Sequence, residues 1–336
     1  MVSALVSNLN ETLAVSPMHV PVLYCPIEPA INQYVQIAKE HTDNWVKQYF
    51  LHQGNEFVKY QRDNFAYMTA RFYPFCTAEN LCLANDLNTA LFVMDDAMDN
   101  QKEKTELVQS TDNYLAFYAR VMRILDDHYQ DNTDGSTGIF AALTDLWNRL
   151  SNISTTSWQN SFANDIRKMF DAGLWELNNV QNGILPSEND FYNNRQYLGA
   201  AHISTALIPV IDKLNIPENI LHHQSVKTLR ELAQRIVCWA NDLFSYSKEA
   251  MHGDQHNMIE VIMKGSNVSF DQAVLKTVTI HDQDMKKFTK IAAELPSFPG
   301  YDSQLQQYVR VLAAILKGNI DWSVSETERY NFIYGN

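Results

Sequence analysis

The chain has 336 residues, 46% of them hydrophobic and 19% charged, enough apolar material to bury a large core as one big domain or two ordinary ones. Its 26 basic residues against 39 acidic ones give a formal net charge of −13, which argues against a nucleic-acid partner. The four cysteines, Cys25, Cys76, Cys82 and Cys238, lack CxxC spacing and are too few for a disulfide framework, so reduced thiols are expected and none reads as catalytic. In chain order, the first 38 residues hold no Lys or Arg, and the apolar positions of MVSALVSNLNETLAV are interrupted by Ser, Asn, Glu and Thr. A secretory signal needs a basic start and a continuous apolar run, and no run of eighteen apolar residues occurs anywhere, so neither export nor a membrane span is expected and the localisation read from the sequence is cytoplasmic.

Residues 1–20 read as a flexible N-terminal segment, followed by one domain over 21–336. Prolines at 17, 21, 26 and 29 preclude helix and predict an extended strap over the body. Beyond it, apolar residues recur with helical periodicity, predicting helices over about 30–52, 56–71, 77–100, 103–130, 137–153, 158–180, 187–211, 221–251, 255–264, 269–294 and 301–320. Short breaks carry the expected punctuation, such as Gly135 and Gly138 in DNTDGSTG, Pro186 in ILPSEND and Pro217 in NIPEN. No hairpin signal, fixed-period repeat or low-complexity linker interrupts the pattern, and the architecture expected is a single all-α bundle.

Two polar clusters stand out from this apolar background. In NDLFSYSKE, Asn241, Ser245 and Glu249 are each four residues apart, so at about 100° per residue they form one narrow stripe along a helix. Taken alone, such a stripe is the ordinary pattern of a solvated face. An amide, a hydroxyl and a carboxylate are also the oxygen donors that a hard divalent cation such as Mg2+ accepts. The second cluster is in LFVMDDAMDNQ, where Asp95, Asp96 and Asp99 end an apolar run and Asp95 and Asp99 share one side of the helix. Three like charges at a helix C-terminus repel one another and oppose the helix dipole unless a cation is bound. The chain supplies its own contrast in LDDHYQDNTDG, where Asp126, Asp127 and Asp131 run into a glycine turn and read as a solvated end.

The pair of clusters resembles the aspartate-rich and NDxxSxxxE motifs of class I terpene synthases, which face each other across the mouth of an α-helical bundle around an apolar cavity. DDAMD supplies the first motif, and the second is complete at Asn241, Ser245 and Glu249. The resemblance extends over about residues 20–332. It assigns Arg195 in NNRQYLGA as a diphosphate-sensing arginine, Gly199 as a helix break with a free carbonyl, Lys248 as a further cation, and Arg329 and Tyr330 in SETERY as the C-terminal Arg-Tyr pair. Leu198 departs from the pattern, since many members carry there an acid that links the arginine to the glycine.

The resemblance implies a cytoplasmic lyase of microbial, single-domain type that ionises an allylic isoprenyl diphosphate, farnesyl diphosphate first among the candidates, and cyclises the carbocation to a sesquiterpene. It implies three Mg2+, with Mn2+ as the alternative, held by Asp95, Asp96, Asp99, Asn241, Ser245 and Glu249. Catalysis then rests on Asp95, Arg195, Asn241, Ser245 and Glu249, and diphosphate contacts on Arg195, Lys248, Arg329 and Tyr330. A carbocation shielded from water calls for an aromatic wall, for which Phe92 and Trp322 are the candidates. The loop after Glu249, AMHGDQHN, and the Arg-Tyr tail are candidate lids. His252 and His256 in that loop lack a third ligand and flank Gly253, so they are not taken as a zinc pair. The alternatives are a diterpene synthase using geranylgeranyl diphosphate, a prenyl-chain-elongating synthase, which would carry a second aspartate-rich motif, and a non-enzymatic helical scaffold with the two clusters far apart. A monomer or a homodimer suits the sequence equally.

Overall fold

The computed structural model describes residues 17–99, 111–130 and 136–335, with the side chains of residues 96–99 and of His252 outside that description. Among the described residues the periodic apolar segments form fourteen helices. In the first half these are α1 (Val35–Gln48), α2 (Gly54–Asp63), α3 (Phe65–Phe72), α4 (Ala78–Asp99), α5 (Thr111–Asp127), α6 (Ile139–Asn152) and α7 (Thr156–Asn182). The second half adds α8 (Glu188–Leu198), α9 (Ala201–Ile211), α10 (Glu218–Leu221), α11 (Gln224–His252), α12 (Met258–Gly265), α13 (Phe270–Ala293) and α14 (Asp302–Ser325). Local chemistry sets several of the ends. Ser187 accepts from the Asp190 amide at the start of α8, and Ser269 and Gln272 make a reciprocal capping box on α13. The long α11 is closed by Gly253 at φ 71, a left-handed position that glycine occupies without a Cβ penalty.

α11 is the central pillar and packs on α8, α9, α12, α13 and α14, while α4 packs on α1, α3, α6 and α9. The face of α11 opposite its polar stripe buries Leu229, Leu232, Ile236, Leu243 and Phe244. A cavity lies between α3, α4, α7, the α8–α9 junction, α11 and α14. No helix among the described residues is long and apolar enough to cross a membrane.

Two expected helices are each broken in two, and both breaks bear on that cavity. The segment expected over 56–71 kinks at Asn64, which takes a left-handed φ of 53°. Asparagine tolerates that conformation, and its amide is fixed by the Glu326 carbonyl at 2.7 Å. The carbonyls of Asp63 and Asn64 at the kink both accept from Trp322 Nε1 at 3.1 Å, so the break anchors an aromatic side chain of α14. The segment expected over 187–211 breaks at Gly199, with Ala200 at φ 51°. α1 begins at Val35 rather than near residue 30, because the Asn32 amide donates to the Tyr73 and Cys76 carbonyls and holds that stretch extended. α14 runs on past the expected end at residue 320 to Ser325. Residues 103–110 of the expected 103–130 helix lie outside the described residues.

The N-terminal strap is extended as expected, but it is not a loose cover. Met18–Val20 (β1), placed by the sequence in a flexible segment, pair in parallel with Phe332–Tyr334 (β2). Val20 is fully buried, and the Met18 amide donates to Ser247 Oγ on α11 at 3.3 Å. Short parallel pairing between chain ends has no local signal, because the partners are brought together only by the folded body. Residues 1–16 lie outside the described residues. Arg71 of α3 grips Glu326 through two bonds of 2.7 Å and Asp321 at 3.1 Å, and Gly318 of α14 lies so close that a Cβ there would meet the Arg71 Cβ at 2.7 Å. These contacts fix the end of α14 and the tail that leaves it. All four cysteines are free thiols.

Asp212, just beyond α9, offers a test of how this packing weighs on pH. Burial pushes its carboxyl up to about 6 against an opposing hydrogen bond from Gln307, and one of its oxygens has no hydrogen-bond partner. A carboxyl raised in the folded state is tolerated while protonated and costs stability once ionised, so this contribution declines as the pH climbs from about 4 through about 6. Asp212→Asn is expected to raise the urea midpoint at pH 7.5 and to leave it unchanged at pH 4, as read by circular dichroism.

Candidate active site

The stripe read from NDLFSYSKE points into the cavity: Asn241, Ser245 and Glu249 all line it. Asp95, from the other cluster, lines the same cavity, which the scaffold alternative does not allow. The side chains of Asp96 and Asp99 lie outside the described residues. Asp126 and Asp127 are exposed as expected, with Asp126 paired to Arg167, while Asp131 falls outside the described residues.

Arg195 is buried beneath the stripe. Its Nε donates to Asp242 Oδ1 at 2.7 Å, its NH2 lies 2.6 Å from the same oxygen, and NH2 also donates to Asn241 Oδ1 at 2.9 Å. Burial works against the guanidinium's charge, but the adjoining Asp242 outweighs it and holds the pKa above its ordinary value. Glu188 and Asp190, the surface partners that an exposed Arg195 would use, are engaged elsewhere. Glu188 pairs with Lys276 at 2.7 Å, and Asp190 bonds Ser187 at the start of α8. Gly199 explains why the arginine can lie as it does, since a Cβ there would overlap Arg195 NH1.

The Arg-Tyr pair joins the two clusters physically. Arg329 is buried and reaches Asp63 at 3.4 Å and Asp95 at 3.5 Å, while Asn241 Nδ2 donates to the Tyr330 hydroxyl at 2.9 Å. Burial pushes the Tyr330 hydroxyl up to about 12, so it stays protonated as a potential donor. Lys248 also lines the cavity. The two aromatic candidates lie together. Phe92 stacks on Phe65 with centroids 4.0 Å apart, Trp322 sits 6.2 Å from Phe92, and Tyr330 meets Trp322 edge-on at 5.8 Å. Arg329 lies over Phe92 at 5.0 Å. Phe72, Tyr114 and Phe170 also line the cavity.

Sequence reasoning missed the residues that hold this arrangement. Asp242, one position along from the stripe, is turned about 100° away from it and carries Arg195. Its second carboxylate oxygen accepts from the Met258 amide at 3.1 Å. Asn257 donates to the Asp242 carbonyl and to Glu249 Oε2, both at 2.8 Å. Burial raises the Asp242 carboxyl against the pull of Arg195, and burial together with Asp242 and Asp254 pushes Glu249 up to about 7. Asp63, the buried partner of Arg329, gave no signal in the sequence, where it falls inside the helix expected over 56–71.

These donors suit a hard cation. Asn241, Ser245 and Glu249 present only oxygens or an amide to the cavity from one side and Asp95 presents a carboxylate from the other, and Glu249 is crowded by carboxylates whose repulsion a cation would relieve. A model of the family described as terpene synthase family 2, C-terminal metal binding, matches residues 86–287, a span that contains both clusters and Arg195. The chain belongs to this family.

This terpene synthase is an enzyme of the microbial class I type, a lyase, and its domain is a metal-binding one. It is 29% identical over 306 residues to (+)-T-muurolol synthase of Roseiflexus castenholzii, described as cyclising (2E,6E)-farnesyl diphosphate, a match covering 91% of this chain and 92% of that relative. It is 27% identical to germacrene A synthase of Nostoc punctiforme, covering 93% and 95% of the two chains. Among solved structures, the linalool/nerolidol synthase of Streptomyces clavuligerus superimposes with a TM-score of 0.80 at 19% identity, covering 90% of this chain and 100% of that one, and shares its all-α fold.

Arg195 and Gly199 of the terpene synthase make a paired prediction. An ammonium cannot reproduce the planar fork that spans Asp242 and Asn241. Arg195→Lys is expected to lower turnover by about 100-fold with a smaller change in KM, the cost of misplacing a positioned group by about an ångström. Gly199→Ala, which displaces the same guanidinium, is expected to fall in the same direction. Steady-state diphosphate release checks both, and unchanged turnover in Arg195→Lys would remove the residue from the site.

Proposed function

We propose that this terpene synthase ionises farnesyl diphosphate in a Mg2+-dependent step and cyclises the resulting carbocation to a sesquiterpene, releasing diphosphate. The observation that carries the reading is the meeting of Asp95, the Asn241–Ser245–Glu249 stripe and the Arg-Tyr pair on the wall of one aromatic cavity. The curated relatives lend the substrate length: (+)-T-muurolol synthase and 4-epi-cubebol synthase are both described as cyclising (2E,6E)-farnesyl diphosphate.

Asp95 on one side and Asn241, Ser245 and Glu249 on the other would hold Mg2+, with Asp96 and Asp99 as further ligands from the first motif. Bound there, Mg2+ supplies charge neutralisation for a departing diphosphate. The chain's own donors do the rest. Arg195, Lys248, Arg329 and the protonated Tyr330 bind the diphosphate and stabilise its growing charge without transferring a proton. Phe92, Trp322 and Tyr330 then face the hydrocarbon. They exclude water, and each ring stabilises a nearby cation by about 0.5–2 kcal/mol. No nucleophile is required. The Asn-Ser-Glu stripe, in place of a second aspartate-rich motif, favours cyclisation over chain elongation.

Incubation of the purified chain and MgCl2 with geranyl, farnesyl and geranylgeranyl diphosphates, followed by gas chromatography, tests the reading. The expected result is a cyclic C15 product from farnesyl diphosphate, abolished by EDTA. A higher kcat/KM for geranylgeranyl diphosphate would overturn the chain length, and a longer diphosphate formed with added isopentenyl diphosphate would overturn cyclisation. Asp95→Ala and Glu249→Ala are each expected to abolish turnover while circular dichroism stays unchanged, since Asp63 keeps Arg329 paired without Asp95 and Glu249 is crowded by Asp242 and Asp254.

A further inference from the structure

His256 lies in the connection between α11 and α12, is almost fully buried at 5% exposure, and its Nδ1 makes no hydrogen bond. That nitrogen is aimed between two carboxylates from different parts of the chain. It is 3.7 Å from Glu176 Oε1 on α7 and 3.6 Å from Asp254 Oδ1 in the connection itself, and the three ligand atoms all lie within 4.8 Å of one another. The separations are too long for hydrogen bonds. Two atoms each about 2.1 Å from a metal stand about 3.4 Å apart at the tetrahedral angle, so the three side chains would draw together slightly to share an ion. The third ligand that the sequence withheld from His256 comes from α7, far away in the chain, and His252 is not needed for it.

We infer that Glu176, Asp254 and His256 form a second divalent-cation site, separate from the oxygen-only clusters and selective for a transition ion such as Mn2+ or Zn2+ because it includes an imidazole nitrogen. Nε2 faces the side-chain amide nitrogen of Asn179 at 3.4 Å. Metal binding at Nδ1 requires that amide to turn its oxygen toward Nε2, so that Nε2 donates and the Nδ1 lone pair is left for the ion. All three ligands also border the main cavity, which leaves coordination positions open to water.

An ion there ties α7 to the start of the segment that holds the active site in order. One residue beyond His256, Asn257 bonds Glu249 and the Asp242 carbonyl, and the next amide, of Met258, bonds the carboxylate that carries Arg195. The site therefore couples occupancy by a second ion to the order of Glu249 and Arg195. It stands whatever the length of the isoprenyl substrate.

Pulsed EPR of the full chain titrated with Mn2+ tests the site directly, because nitrogen coordinated to Mn2+ gives a 14N coupling that ligands confined to oxygen cannot give. Wild type is expected to show one Mn2+ with that coupling. The coupling should persist in Glu249→Gln, which impairs the oxygen-only cluster, and vanish in His256→Gln. Glu176→Gln, a change at a partly exposed position that guards against misfolding of the histidine variant, should weaken the nitrogen-coupled Mn2+ by at least tenfold. Absence of nitrogen-coupled Mn2+ in wild type at saturation, its persistence in His256→Gln, or unchanged affinity in Glu176→Gln would each overturn the site and leave His256 as a bridge between two carboxylates.

Discussion

The buried pair of Arg195 and Asp242 is the constraint on which the site depends. Two charges are taken almost wholly out of water, a step that is unfavourable unless every polar atom finds a partner. Here the partners are supplied from three helices. Arg195 comes from α8, Asp242 and Asn241 come from α11, and the Met258 amide at the start of α12 takes the remaining carboxylate oxygen. Losing one member of such a pair strands the other in a low-dielectric interior, typically at about 3–5 kcal/mol. The pair thereby fixes the rotation of α11 about its own axis. With Asp242 held inward, Asn241, Ser245 and Glu249 have one direction left, and it is the cavity.

The same pair accounts for the glycine at the break between α8 and α9. An ordinary residue at position 199 would put a Cβ into the space of the Arg195 guanidinium. Gly199 removes that atom, and Ala200 in a left-handed conformation redirects the chain. At position 198, where the resemblance implies an acid, Leu198 lines the cavity instead. Asp242 and Asn241 already occupy Nε and NH2 of the arginine, so the guanidinium is oriented without an acid at 198.

A second set of constraints works from the chain ends. The tail that carries Arg329 and Tyr330 leaves α14 after Glu326, which Arg71 grips, and then pairs as β2 with the N-terminal strap. Phe332 stacks on Phe244 of α11 at 4.7 Å, which presses the tail onto the helix bearing the stripe. Arg329 and Tyr330 are thus held between two anchors, one on α3 and one on β1. Their contacts to Asp95 and Asn241 follow from this placement, and through them each of the two oxygen clusters is linked to the same dipeptide.

Much of this was legible in the sequence because it is periodic or local. Apolar residues at helical spacing determined the all-α class, and prolines determined the extended strap. The spacing of Asn241, Ser245 and Glu249 determined that three donors share one face, since side-chain direction on a helix follows from position alone. Arg195, Gly199, Arg329 and Tyr330 were marked by the resemblance to class I terpene synthases rather than by periodicity or spacing. Which way the stripe faced was a tertiary decision, because solvent and cavity are equally consistent with one polar face. So were the kink at Asn64, the pairing of β1 with β2, the choice of Asp242 rather than a surface acid as partner for Arg195, and the approach of Glu176 to His256. Each depends on groups distant in the chain whose encounter is set by helix packing, and no short-range pattern records such an encounter.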